Sequence, residues 1–294
     1  MNRQRLLPLA LLLLGCTAPP PSQADTHAIV NGEPAPDDNA VGELGIWYDA
    51  GFRLSTCTAT LIAPRFALTA AHCVIGHVVN VRYLTLSTLP DPDVDRSAIK
   101  YASSWTTHPQ FHATTENFDF DITLVRFPTD IATTTAHLPT RALEPRDVGG
   151  AVRFVGYGVV GGDAKAHGQR QQTTSAISAI NATNFENRPP NTVCYGDSGG
   201  PAFVDLDGAG ESIAGIISRG EASAASDECL TTSFHVRVDQ HLEWIAAEMA
   251  RDVDAPQDEG CAVGGRKPGG ALWLLVLMAI RLARPAPWRR RPAG

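Results

Sequence analysis

From Ile29 to about Met249 the chain is cut into short apolar runs. "ELGIWYD", "TATLIA", "RFALTAA", "DITLVRF", "AVRFVGYG", "SIAGIIS" and "SFHVRV" are separated by Gly, Pro, Asn and Asp. Many short segments rich in β-branched residues, with turn signals between them, predict an all-β sandwich or barrel. No repeat period is evident. The exception closes the region: in "VDQHLEWIAAEMA", Val238, Leu242, Ile245 and Met249 recur at helical spacing on one face and predict a single C-terminal helix.

The ends differ from this core. "MNRQRLLPLALLLLGC" sets two arginines before an apolar run too short to cross a bilayer, so residues 1–16 read as a secretory signal. Leu-Leu-Gly-Cys at 13–16 resembles a bacterial lipobox, which would make Cys16 a lipidated first residue; the alternative is an ordinary signal cut later, after Ala24. Residues 17–28 are Pro-rich and polar, a linker or propeptide. An acidic linker (250–260) follows the core. Cys261, a Gly-rich segment, the apolar "ALWLLVLMAI" and a basic end then fill 261–294. Export implies an oxidising compartment in which disulfides persist.

With 294 residues, 44% hydrophobic and 19% charged, the chain can bury a sizeable core. Its net charge of -7 hides an asymmetry. The two ends hold nine of the 24 basic residues and one of the 31 acidic ones, leaving 15 bases against 30 acids between them. Such a surface argues against nucleic-acid binding, which wants a basic patch.

"CYGDSGGP" (194–201) places a serine between an acid and two glycines. Serine in such company is commonly a turn residue. As a nucleophile, Ser198 needs a base for its proton and an acid to hold that base's tautomer, while adjacent glycines would let substrate approach the backbone. Of the nine histidines, His72 stands apart in "LTAAHC", where small residues allow tight packing and Cys73 could anchor the backbone. Asp121 opens an apolar segment in "FDFDITLVRF", and Asp119 lies two residues earlier. On a strand both would share a face, so spacing alone does not choose between them.

Taken in order, "IVNG", "TAAHC", "DITLV", "VGYG", "GDSGGP" and the final "RV…WI" helix resemble the chymotrypsin/trypsin family of serine endopeptidases over residues 29–249. The resemblance implies two six-stranded antiparallel β-barrels with the site between them and a C-terminal helix. It implies His72 as general base, Asp121 rather than Asp119 as its orienting partner and Ser198 as nucleophile. The backbone N–H groups of Gly196 and Ser198 would form the oxyanion hole, and the disulfides would be Cys57–Cys73 and Cys194–Cys229. It further implies a zymogen, cut before Ile29 by an activating protease so that the new α-amino group pairs with Asp197. Substrates would be proteins or peptides, with no cofactor, and the enzyme a monomer. The alternative is a silent adhesion or binding protein on the same fold; such homologues usually lack a triad member, whereas all three are present here.

The same resemblance makes Thr192, Val193, Ser218, Gly220 and Ser233 the specificity pocket. Trypsin-like members carry Asp where Thr192 stands, so neutral residues before the scissile bond are expected; only Asp227 or Glu228 reaching in would change that. Arg219 occupies a place usually held by an aromatic residue. No metal site is expected. "DPDVDR" (91–96) alternates carboxylates, but Arg96 and Ala102 stand where a calcium loop needs Gly and Glu, so it reads as a solvated turn. The histidines at 77, 108, 112, 137, 167, 235 and 241 lack clustered ligand spacing. The tail resembles the C-terminal sorting signals of myxobacterial surface proteins, with Cys261 as its cysteine. Both termini therefore predict membrane association of an exported protein at the envelope or outer surface, with release to the medium after processing.

Overall fold

The computed structural model describes residues 29–48, 53–84, 98–112, 118–158, 169–208, 210–221, 229 and 231–251. The signal with Cys16, the linkers on either side of the core, the acidic turn at 91–96, Asp227, Glu228 and the tail with Cys261 lie outside them.

The described chain is built of short strands, as the punctuated sequence predicts. β1 (Glu33–Pro34) is followed by β2 (Val41–Tyr48), β3 (Arg53–Ala63), β4 (Phe66–Thr69), β5 (Val78–Leu84), β6 (Lys100–Tyr101), β7 (Ser104–Thr107) and β8 (Thr123–Arg126). The second half contributes β9 (Ala151–Gly156), β10 (Gln171–Ile180), β11 (Asn184–Asn187), β12 (Pro201–Val204), β13 (Ser212–Gly220) and β14 (Ser233–Arg237). One sheet runs β6-β5-β2-β3-β4-β8-β7 and the other β1-β10-β11-β14-β13-β12-β9. In the second sheet β9 also pairs with β10, from Gln171 opposite Gly156 to Ala176 opposite Ala151, so six strands close into a barrel with β1 appended. The first sheet remains a half-barrel among the described residues. Two barrel-like sheets were expected; the ring closes in only one.

Burial explains why some runs alternate and others do not. β13 reads SIAGIISRG, and its first seven residues are all buried, because one face lines the barrel and the other is covered. One apolar core gathers Val41, Leu44, Leu61, Leu68, Ile122 and Val125 from the first sheet with Val155, Tyr157, Ile216 and Ile245 from the second half. A second core fills the closed barrel and includes Ile29, Phe154, Phe185 and Ile217. The predicted helical face holds in substance. Val238 sits in a 3-10 turn (Val238–Gln240), and α1 (Leu242–Ala250) then packs Ile245 fully, and Leu242, Trp244 and Met249 partly, against the first core. Among the described residues no helix is long and apolar enough to cross a membrane.

A buried cation fastens the N-terminal segment. Arg170 is 1% exposed and donates to Ala35 O (2.7 Å), Pro36 O (2.6 Å), Val41 O (3.0 Å), Asn39 Oδ1 (3.2 Å) and the Tyr157 hydroxyl (3.4 Å). Burying a charge is costly unless its donors are satisfied, and here the backbone of residues 35–41 satisfies them.

Candidate active site

The 3-10 turn Ala71–Val74 follows β4 and carries His72. The segment before β8 carries Asp121, which is fully buried while the His72 side chain is 25% exposed. Asp121 Oδ1 accepts the backbone N–H of His72 at 2.8 Å, and Oδ2 faces His72 Nδ1 at 2.7 Å. A buried carboxylate held on both oxygens fixes the ring and its tautomer, with the proton on Nδ1 and Nε2 free to accept another. Asp119 does not compete. Its Oδ1 accepts from the Thr183 hydroxyl at 2.8 Å, because residues 119–120 form a turn and the parity of a strand does not apply.

Ser218 supplies a third donor that the sequence did not reveal. Its hydroxyl donates to Asp121 Oδ2 at 2.6 Å. The β13–β14 register shifts between Ile217 and Arg219, and such bulges re-aim the residue they contain. Ser218 also lines the cleft.

Ser198 lies in a loop pinned from both sheets. Ser198 O accepts the Thr58 N–H (2.8 Å), the Thr58 hydroxyl donates to Gly196 O (2.9 Å), and Gly199 N–H donates to Ile217 O (2.7 Å). Thr58 is another positioning residue that sequence patterns missed, since a threonine in β3 looks like any strand threonine. Gly196 has φ +93°, a region L side chains rarely adopt, and a Cβ there would come 2.7 Å from Gly158 Cα. Sγ of Cys73 lies 3.9 Å from His72 Nε2 and 3.7 Å from Ser198 O, so the Cys57–Cys73 disulfide touches both residues.

His72 and Ser198 share the wall of a cleft of about 690 Å³ with Ile75, Phe118, Tyr195 and the strand end Ile217–Glu221. Val193 and Gly220 also line it, beside the Cys194–Cys229 disulfide. Thr192 and Ser233 are buried and lie outside this lining; the Thr192 hydroxyl donates to Cys229 O. Among the described residues, Cys57, His72 and Cys73 are the one close group of metal-ligating types, but the disulfide leaves those cysteines no thiolate to offer.

Asp197, next to Ser198, is fully buried. Its carboxylate accepts from Cys194 N–H and Gly158 N–H, each at 2.9 Å, yet burial dominates and pushes its pKa up to about 7. A Cβ on Gly156 would collide with Asp197 Oδ1 at 2.1 Å, so glycine is what admits the carboxylate there. Ile29 is buried in the closed barrel's core, and Val30 N–H donates to Thr192 O at 3.0 Å.

A serine, a carboxylate-held histidine and a cleft between two antiparallel sheets define a hydrolase-type site on a double-barrel fold. The Trypsin family model matches residues 29–245, and the chain belongs to that family. It is 27% identical over 238 residues to a chymotrypsin of Phaedon cochleariae, covering 74% of this chain and 80% of that one. It is 24% identical over 249 residues to an uncharacterized peptidase of Corynebacterium glutamicum, covering 82% and 81%. A solved structure of HL collagenase superposes with a TM-score of 0.62 at 20% identity, over 76% of this chain and 99% of that one, a likeness of fold. Family and relatives together support a serine peptidase, a hydrolase acting on proteins or peptides.

Proposed function

We propose that this protein is a serine endopeptidase that cleaves peptide bonds through an acyl-enzyme formed on Ser198. The observation that carries the reading is the buried Asp121 holding His72 on the wall of the cleft that Ser198 shares. His72 Nε2 takes the Ser198 proton as Oγ bonds the substrate carbonyl carbon. It returns that proton to the amine as the C–N bond breaks, and the cycle repeats with water in place of the serine. Asp121 stabilises the imidazolium formed at each stage. The N–H groups of Gly196 and Ser198 receive the oxyanion. A fluorophosphonate probe should label the wild-type chain at Ser198; a folded chain that resists labelling and cuts no peptide would instead favour the silent binding protein.

The residue before the scissile bond is neutral in this reading. Val193, Ile217 and Gly220 offer it an apolar wall, and the Thr192 hydroxyl is already engaged by Cys229 O. Among the described residues the one acid on the cleft wall is the exposed Glu221, so a Lys or Arg side chain buried against that apolar wall would lack a buried anionic partner. Cleavage profiling dominated by Lys and Arg would refute this.

The enzyme is made as a zymogen and activated by another protease that cuts before Ile29. The burial of Ile29 and the raised pKa of Asp197 support this, because a free α-amino group at residue 29 would give that carboxylate its missing cation. The precursor is exported, and Cys16 with the tail at 261–294 attaches it to the envelope. Cleavage before Ile29 severs any lipid on Cys16, since neither Cys57–Cys73 nor Cys194–Cys229 crosses the cut. Removing 261–294 should then send the activated form into the medium, while the uncut precursor stays partly membrane-bound. Truncated, activated enzyme found in the membrane fraction would mean the tail is not the anchor.

A further inference from the structure

We propose that Arg219 gives the cleft a second specificity, for a carboxylate side chain adjacent to the residue whose carbonyl is attacked. The proposal rests on the peptidase reading above and names a substrate feature within it.

The guanidinium of Arg219 lies on the cleft wall over two aromatic rings. Its Cζ is 4.2 Å from the centroid of Phe234 and 5.6 Å from that of Phe118. A cation–π contact attracts a guanidinium to a ring without consuming its N–H donors, which can still meet a carboxylate. Among the described residues Arg219 makes no hydrogen bond or ion pair. Three other guanidiniums of the second half are matched to acids. Arg153 holds Asp38 and Glu211, Arg141 holds Asp147 and Asp207, and Arg237 holds Asp239. In a protein with 31 acids to 24 bases, a cation on the cleft wall that no described carboxylate pairs is a candidate ligand site.

Its position fixes which part of a substrate it meets. The imidazole of His72 is edge-on to Phe118 with centroids 6.3 Å apart, and Phe118 is in turn under Arg219. The cation is thus within two ring contacts of the base, in reach of a long side chain on the residue beside the one attacked. Arg219 also precedes Gly220, which lines the apolar pocket, so the residue beside the one filling that pocket is the one presented to it. Glu221, exposed on the same wall, works against an incoming acid and sets a ceiling on the preference.

The test compares matched, blocked peptides that carry Glu or Gln at each of the four positions before the scissile bond, with the active enzyme titrated by fluorophosphonate. The wild type should favour Glu over Gln at the position adjacent to the residue whose carbonyl is attacked by about 5- to 30-fold in kcat/KM, the range from an exposed ion pair to a charge-assisted hydrogen bond, and a preference found only at another position would overturn the proposal. The ratio should shrink with added salt. R219Q should bring it to about one, R219E should invert it, and E221Q should raise it. Because each readout is a ratio within one variant, altered basal turnover does not confuse it, and the salt dependence needs no variant at all. Equal cleavage of Glu and Gln peptides at every position by labelled enzyme would overturn the proposal and leave the peptidase reading standing, and so would a Glu preference that survives in R219Q. A folded wild type that neither labels nor cuts any of the peptides would overturn both.

Discussion

Replacing Ser198 with Ala should lower kcat for peptide hydrolysis by about 10⁴- to 10⁶-fold without unfolding the protein, the range seen when members of such a triad are removed from other serine proteases. His72→Ala should cost a similar factor, because the hydroxyl is a poor nucleophile until Nε2 takes its proton. Asp121→Asn keeps the shape but can reverse the tautomer that the 2.7 Å contact to Nδ1 imposes, and should cost about 10⁴-fold. The combined Ser198→Ala and His72→Ala variant should be scarcely worse than either alone, since the groups act as a unit. Ser218→Ala is expected to be milder, about 10- to 100-fold, because Asp121 loses one charge-assisted hydrogen bond but keeps both contacts to His72. Steady-state kinetics on one neutral peptide orders these variants. Near-wild-type hydrolysis by folded Ser198→Ala would refute the assignment.

The second large effect is a pH dependence that changes sign on activation. In the uncut chain, burial raises the Asp197 pKa from an ordinary 3.8 to about 7. A carboxyl whose pKa is higher folded than unfolded adds stability in full below pH 4, and that stability is lost as pH climbs toward 7. At 1.36 kcal/mol per unit, the loss is about 4 kcal/mol. Cleavage before Ile29 supplies an α-amino cation. The pair then depresses the Asp197 pKa and raises that of the amino group above its usual 7.7–8. Stability from the pair is therefore present at neutral pH. It falls as acid protonates Asp197, and again as pH rises through the raised amino pKa. Urea unfolding of the Ser198→Ala protein, uncut and beginning at Ile29, should show the stability advantage of the cut form over the uncut form growing between pH 4.5 and pH 7.5. The buried histidines titrate in both forms. His235, held below its usual range at about 3 between Phe154 and Phe185, and His241, at about 4, cancel in the comparison. In the uncut form Asp197→Asn should remove the loss of stability that Asp197 causes toward neutral pH, so stability rises more steeply with pH than in the uncut parent. Parallel profiles for the two forms would remove Asp197 from the activation mechanism.

The amino-acid sequence by itself determined the class of fold and the terminal helix and singled out Ser198 and His72 as candidates, while the pocket residues came from the family resemblance. It could do so because these depend on local signals: short apolar runs, turn residues, helical spacing, and motifs whose residue types a given chemistry requires. The disulfide partners followed from the family resemblance and are joined as expected. What stayed hidden depends on residues far apart in the chain. Asp119 and Asp121 are equivalent by spacing, and only the turn ahead of β8 sends one to Thr183 and the other to His72. Ser218 reaches Asp121 from 97 positions away because a bulge breaks the alternation of β13. Thr58 braces the nucleophile loop from 138 positions away. Arg170 and Arg219 are both cations in an apolar setting, and nothing in their neighbours along the chain separates them. Tertiary structure gives the first a cage of backbone carbonyls and sets the second over two aromatic rings on the cleft wall. The physical reason is the same in each case. Local sequence sets where a backbone turns or extends, whereas the partner of a buried polar group is set by which distant strand the sheet brings beside it.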